Sequence, residues 1–150
     1  MRNTCYLRKG TVYLPTLANA PGSSLYELVE PIAVIPATEV ENLRQAMREK
    51  ILAGNPPPSA PRPPRTPEPV VLPLLAGVKT WSAFDRGVTA TWSITDQGGS
   101  YKIIPLRRYS SRGGWVPDTE NTIFLPPGAD LDAVCDRMVE LIQAAETNKT

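Results

Sequence analysis

Ile32-Ala33-Val34-Ile35-Pro36 is followed by apolar residues at Val40, Leu43, Met47 and Ile51, and Ile123-Phe124-Leu125-Pro126-Pro127 is followed at the same intervals by Leu131, Val134, Met138 and Ile142. Each stretch reads as a β-strand, a proline stop, and then a helix with one apolar stripe. The reading is therefore an α+β fold of two β-then-α units, antiparallel strands followed by a helix, pseudo-repeated and packed together. Residues 1–54 form an N-terminal ββα unit, 55–73 a linker, and 74–150 a C-terminal βββα unit.

The linker separates itself by composition. It holds nine of the seventeen prolines, opening with Asn55-Pro56-Pro57-Pro58 and ending at Pro73. Proline fixes φ and removes a backbone donor, so the segment predicts polyproline II rather than helix or sheet. It reads as a semi-rigid spacer, with Pro61-Arg62-Pro63-Pro64-Arg65 also carrying the flavour of an SH3 or WW ligand.

In the N-terminal unit, Thr11 to Thr16 is a strand and Asn19 to Ser24 a turn cluster. A longer strand follows from Tyr26, and Pro31 within it marks an edge or a bulge. Thr38-Glu39-Val40-Glu41 has capping-box form, with Thr38 as cap and Glu41 reaching back. That helix should run to Ala53 and stop at Gly54. In the C-terminal unit, Val78, Trp81 and Phe84 suggest a short helical stretch closed by Gly87, with both rings in the core. Strands over 88–95 and 100–109 flank the hairpin turn Asp96-Gln97-Gly98-Gly99, and a third ends at Leu125. Asp130 caps the last helix. Neither unit is large enough to hold itself, so they should pack on one another or be exchanged in a homodimer.

Composition excludes much chemistry. The 150 residues contain no histidine and two cysteines, Cys5 and Cys135, with a net charge of +1. Histidine-based triads, zincin motifs and a four-cysteine zinc site are thereby removed. There is no GxGxxG and no P-loop. Asp130, Asp132 and Asp136 could gather round a hard cation, but an acidic, solvated helix start is the simpler reading. Tyr101 and Lys102 would serve as acid or base only with strongly shifted pKa values. The expectation is no enzyme, no metal and no cofactor. No stretch approaches the ~18 apolar residues of a membrane span, and no apolar h-region follows the N-terminus. A cytoplasmic protein is expected, with reduced thiols.

Charge within the C-terminal unit is uneven. Residues 79–112 carry a net +4 and residues 113–150 a net −5. The basic block is interleaved with Trp81, Trp92, Tyr101 and Tyr109, and cations beside flat rings suit unpaired nucleotides. The same pattern also fits an ordinary solvated sheet whose rings point inward.

Ile104-Pro105-Leu106-Arg107-Arg108-Tyr109, the turn and strand Gly113-Gly114-Trp115-Val116-Pro117, and Ile123-Phe124-Leu125 before a helix follow one another in a familiar order. Over residues ~88–145 the chain resembles the positive-cofactor-four family of transcriptional coactivators, which bind single-stranded DNA. The resemblance implies that Lys102, Arg107 and Tyr109 face nucleic acid, with Trp115 as a stacking residue. The candidate interface built on it is Lys102, Arg107, Arg108, Tyr109, Arg112 and Trp115. The chain departs from the family at Pro117-Asp118-Thr119-Glu120-Asn121, where the family is basic and these carboxylates would repel phosphate. The function expected is thus a non-catalytic binder of single-stranded nucleic acid. The alternative is a protein-binding immunity or inhibitor protein that neutralises a toxin, its charged blocks steering the partner.

Overall fold

The N-terminal strand joins the two halves of the chain. In the computed structural model, which describes residues 1–20, 22, 26–57, 71–97, 99–110 and 113–148, β1 (Arg2–Arg8) lies between β2 (Thr11–Ala18) and β4 (Val88–Gln97). It pairs antiparallel with both: Tyr6 faces Tyr13 on one side and Thr91 on the other. With β3 (Glu27–Pro36), β5 (Ser100–Ser110) and β6 (Gly113–Pro117), the sheet order is β3-β2-β1-β4-β5-β6, and β7 (Ile123–Phe124) also pairs with β5. The fold is α+β with one antiparallel sheet. Its N-terminal half supplies three strands where the sequence reading expected two. The cause is burial on both faces: Cys5 and Leu7 are buried on one face and Tyr6 on the other. Such a strand shows no apolar–polar alternation.

Successive strand residues point to opposite faces, and each face has its own cover. Helices α1 (Val40–Ala53) and α4 (Leu131–Thr147) cover one. Leu43, Met47, Val134, Met138 and Ile142 meet Cys5, Leu7, Val12, Ile94 and Ile103 in the main core. Each large side chain buried there contributes about 1.5–3 kcal/mol. The stripes expected from sequence are the buried stripes. Arg44 pairs with Asp136 at 2.6 Å and Arg48 with Asp132, so the two helices run antiparallel and the acidic start of α4 is bound by arginines. No cation cluster forms among the described residues.

Helix ends follow the sequence at three of four points. Asp130 accepts from the Ala133 amide at 2.9 Å. Gly54, at φ 67°, ends α1 with its amide on the Lys50 and Ile51 carbonyls. Gly87 ends α3 (Trp81–Arg86). The fourth is a correction: Glu39, not Thr38, is the N-cap of α1, with no side-chain cap bond, and Glu41 turns to Arg44 instead.

The opposite face is covered at one end by α2 (Val71–Leu75) and α3. Leu72 and Phe84 are fully buried against Tyr6, Tyr13 and Val88. Residues 71–73, assigned from sequence to the linker, are thus helical. Pro73 is tolerated because it lies in the first turn, where no intrahelical donor is needed. The rest of the proline-rich stretch, 58–70, lies outside the described residues. Its first residues are anchored: Asn55 Nδ2 donates to the Arg2 and Leu17 carbonyls at 2.7 and 2.9 Å. Pro31 occupies the edge strand β3 after a cis peptide, opposite a register shift between Leu14 and Thr16. The last strand expected from sequence is split: Asp118 and Asn121 close a 3-10 turn between β6 and β7.

Candidate interaction surface

Strand β5 carries most of the residues expected to bind nucleic acid, and its pleat divides them. Ile103 faces α1 and α4, so Arg107 and Tyr109, at even spacing from it, point to that side. Lys102 and Arg108 point to the other. Pairing agrees: Arg107 lies opposite Val116, whereas Arg108 lies opposite Trp115 and Lys102 opposite Thr95 and Phe124. The four residues expected on one face by resemblance therefore do not share it. Arg112 lies outside the described residues.

Arg108 and Trp115 meet, but around an acid. Arg108 Nη1 donates to Asp85 Oδ2 at 3.1 Å, and Nη2 donates to the Asp85 and Val88 carbonyls at 2.7 and 2.8 Å. The guanidinium lies 4.4 Å from the Trp115 ring, whose Nε1 donates to Asp85 Oδ1 at 2.6 Å. Asp85 is 8% exposed. Its position comes from α3, which Thr80 caps through the Ala83 amide and which Phe84 anchors edge-on against Tyr6 and Tyr13. The cation–ring pair thus holds α3 to β5 and β6, and three of the five Arg108 N–H donors and the Trp115 N–H are already used. Asp85 was missed from sequence; its signal was being one of only two acids within the basic block.

Beyond α3 the same sheet face is open. A groove of about 370 Å³ runs over it, with Arg2 and Tyr26 on one wall, Lys102 on the other, and Ile104, Leu106 and Pro117 as an apolar floor. A second groove of about 360 Å³ shares Thr95 and Lys102 and is bounded by Phe124 and Leu125. Arg2 sits over the Tyr26 ring at 5.5 Å, and its backbone is clamped by Asn55. The Lys102 side chain makes no hydrogen bond or ion pair among the described residues. Phe124 is 74% exposed. Thr95 Oγ1 and, on the other face, Asp96 Oδ1 are buried without a partner among the described residues. Arg2, Tyr26 and Phe124 were not singled out from sequence, because nothing local to residue 2 or 26 links it to residue 102.

The thiols are not poised for chemistry. Burial pushes Cys5 up to about 12 and, with help from Asp132, Cys135 up to about 11. Burial and the nearby Asp96 also raise Tyr101, away from what a base at neutral pH requires.

No family model and no curated protein matches the chain. A solved structure does: the protein of unknown function NMB0488 from Neisseria meningitidis, with a TM-score of 0.66 at 16% identity, covering 95% of this chain and 93% of that one. At that identity the likeness shows a shared fold.

Proposed function

We propose that this chain is a non-catalytic protein-binding module that docks its partner on the open sheet face of β4, β5 and β7. The observation that carries the proposal is the composition of that face: an apolar floor, an exposed Phe124, and the cations Arg2 and Lys102 with no acid among the described residues bound to either side chain. An apolar centre with an aromatic anchor and a polar rim is how protein interfaces are built. An immunity or inhibitor role, in which the partner is a toxin, is the form of this reading that the opposed charged blocks suit. The +4 block includes Lys102, while the −5 block runs through the 3-10 turn and α4.

The second reading, binding of single-stranded nucleic acid, is favoured by Tyr26 and Phe124 beside Arg2 and Lys102. Two phosphate contacts, however, give a salt slope of only about −1.4 on a single strand, a weak electrostatic grip. The pseudo-repeat belongs to the same proposal. β3 pairs with both the beginning and the end of β2, as β7 and β6 together pair with β5. We read them as corresponding elements.

The test is to isolate the protein with its co-purifying protein, produce that protein separately, titrate the two, and map amide exchange. A stoichiometric complex that protects β4, β5 and β7 supports the reading. Protection confined to α1 and α4, or salt-dependent oligonucleotide binding with no protein complex, overturns it.

A further inference from the structure

We infer that the groove between Arg2 and Lys102 receives an extended acidic peptide segment of the partner protein; this rests on the protein-binding reading above. Three observations specify the occupant. The first is charge. Arg2 is held at one wall by the Tyr26 ring and the Asn55 clamp, and the Lys102 side chain at the other has no ion-pair partner among the described residues. Carboxylates are the groups that complement two such cations. The second is the floor. Ile104 and Leu106, half-buried along β5 beyond Lys102, line the groove with Pro117, so the occupant carries an apolar side chain beside its acids. The third is the polar lining. Thr95 also lines the groove, and its Oγ1 is a buried hydroxyl without a partner among the described residues. A peptide backbone brings an N–H and a carbonyl at each residue, either of which can meet that hydroxyl. A phosphodiester strand brings a charge at every nucleotide, more than two cations match. The volume, about 370 Å³, is at the small end of ligand sites and suits a few side chains rather than a helix.

The experiment uses the full chain and a fluorescein-labelled peptide mixing glutamate and leucine, read by anisotropy. Two comparison probes are the same peptide with glutamine for glutamate and an oligothymidylate. The acidic peptide is expected to bind at least about tenfold more tightly than either. Lys102→Glu is expected to weaken it about tenfold, and Lys79→Glu, on the exposed turn before α3, to leave it unchanged. Thermal melts of both variants confirm that they fold; should Lys102→Glu fail to, Lys102→Gln is read in its place. Equal binding of the glutamine peptide, preference for the oligonucleotide, no binding of any probe, or indifference to Lys102→Glu overturns the inference. If the purified protein partner still protects β4, β5 and β7 in Lys102→Glu at undiminished affinity, the groove assignment falls while the protein-binding reading stands.

Discussion

Arg108→Ala tests whether this arginine holds the fold together or is held ready for a ligand. The substitution removes three charge-assisted hydrogen bonds, to Asp85 Oδ2 and to the Asp85 and Val88 carbonyls, along with the stacking on Trp115. Asp85, with its side chain 12% exposed, keeps only the Trp115 donor among the described residues. Breaking a fully buried pair costs about 3–5 kcal/mol because the remaining charge is stranded. The Arg108 side chain is 37% exposed, so water reaches part of the vacated site and the expected loss falls to about 2–3 kcal/mol. For a chain of this length that is a drop in Tm of roughly 5–10 °C. Arg107→Ala, one residue away on the opposite face, removes no bond among the described residues and should stay within about 0.5 kcal/mol. Circular dichroism melts and urea titrations of the two variants decide the matter. A melt of Arg108→Ala indistinguishable from the parent, or an equal fall for Arg107→Ala, refutes the assignment. Charge reversal at Arg108 would set a second carboxylate beside Asp85 and destabilise the fold. Arg107→Glu alone is the clean test of nucleic-acid binding on its side of the sheet.

Three further outcomes are expected. Asp130→Ala loses a cap bond and about 1 kcal/mol, whereas Thr38→Ala, which removes no cap bond, is near neutral by urea titration. Gly87→Ala sets a Cβ 2.7 Å from Nε of the buried Arg8, displacing its bond to the Phe84 carbonyl, and lowers stability by about 1–3 kcal/mol; equal stability by melting would contradict the packing. Cys5 and Cys135 are raised in the fold from 9.0, to about 12 and about 11, so both states hold their protons below 9, and above it only the unfolded chain gives them up. Stability is therefore lost as pH rises from 9 toward the folded values, and a thiol reagent at pH 8 should react only on unfolding.

The helices were legible because their stripes face one neighbour each. Leu43, Met47 and Ile51 on α1 and Val134, Met138 and Ile142 on α4 meet the same sheet face, so the 3.6-residue period survives in the sequence. Strand β1 was not, because α1 and α4 bury Cys5 and Leu7 while α2 and α3 bury Tyr6 between them. The α1 cap misled for a different reason. A capping box names residue types, but the chain leaves β3 through Ala37, whose amide is bound to the Gly10 carbonyl, and the helix starts one residue later than Thr38 would allow.

The candidate surface was half legible, and the reason lies in what a one-dimensional charge count adds together. Lys102, Arg107 and Arg108 all enter the +4 block, yet the pleat sends Arg107 to one face, Asp85 neutralises Arg108, and only Lys102 remains on the open side. Its true companion, Arg2, lies on β1, brought within one groove of it by the register Arg2 opposite Thr95 opposite Lys102. The parity argument could be made from sequence once β5 is assigned; the Asp85 contact and the Arg2 juxtaposition could not, since each depends on an element from elsewhere in the chain. An interface read from a basic run is therefore secure only for residues of one parity, and only after each has been checked for an acid across the sheet.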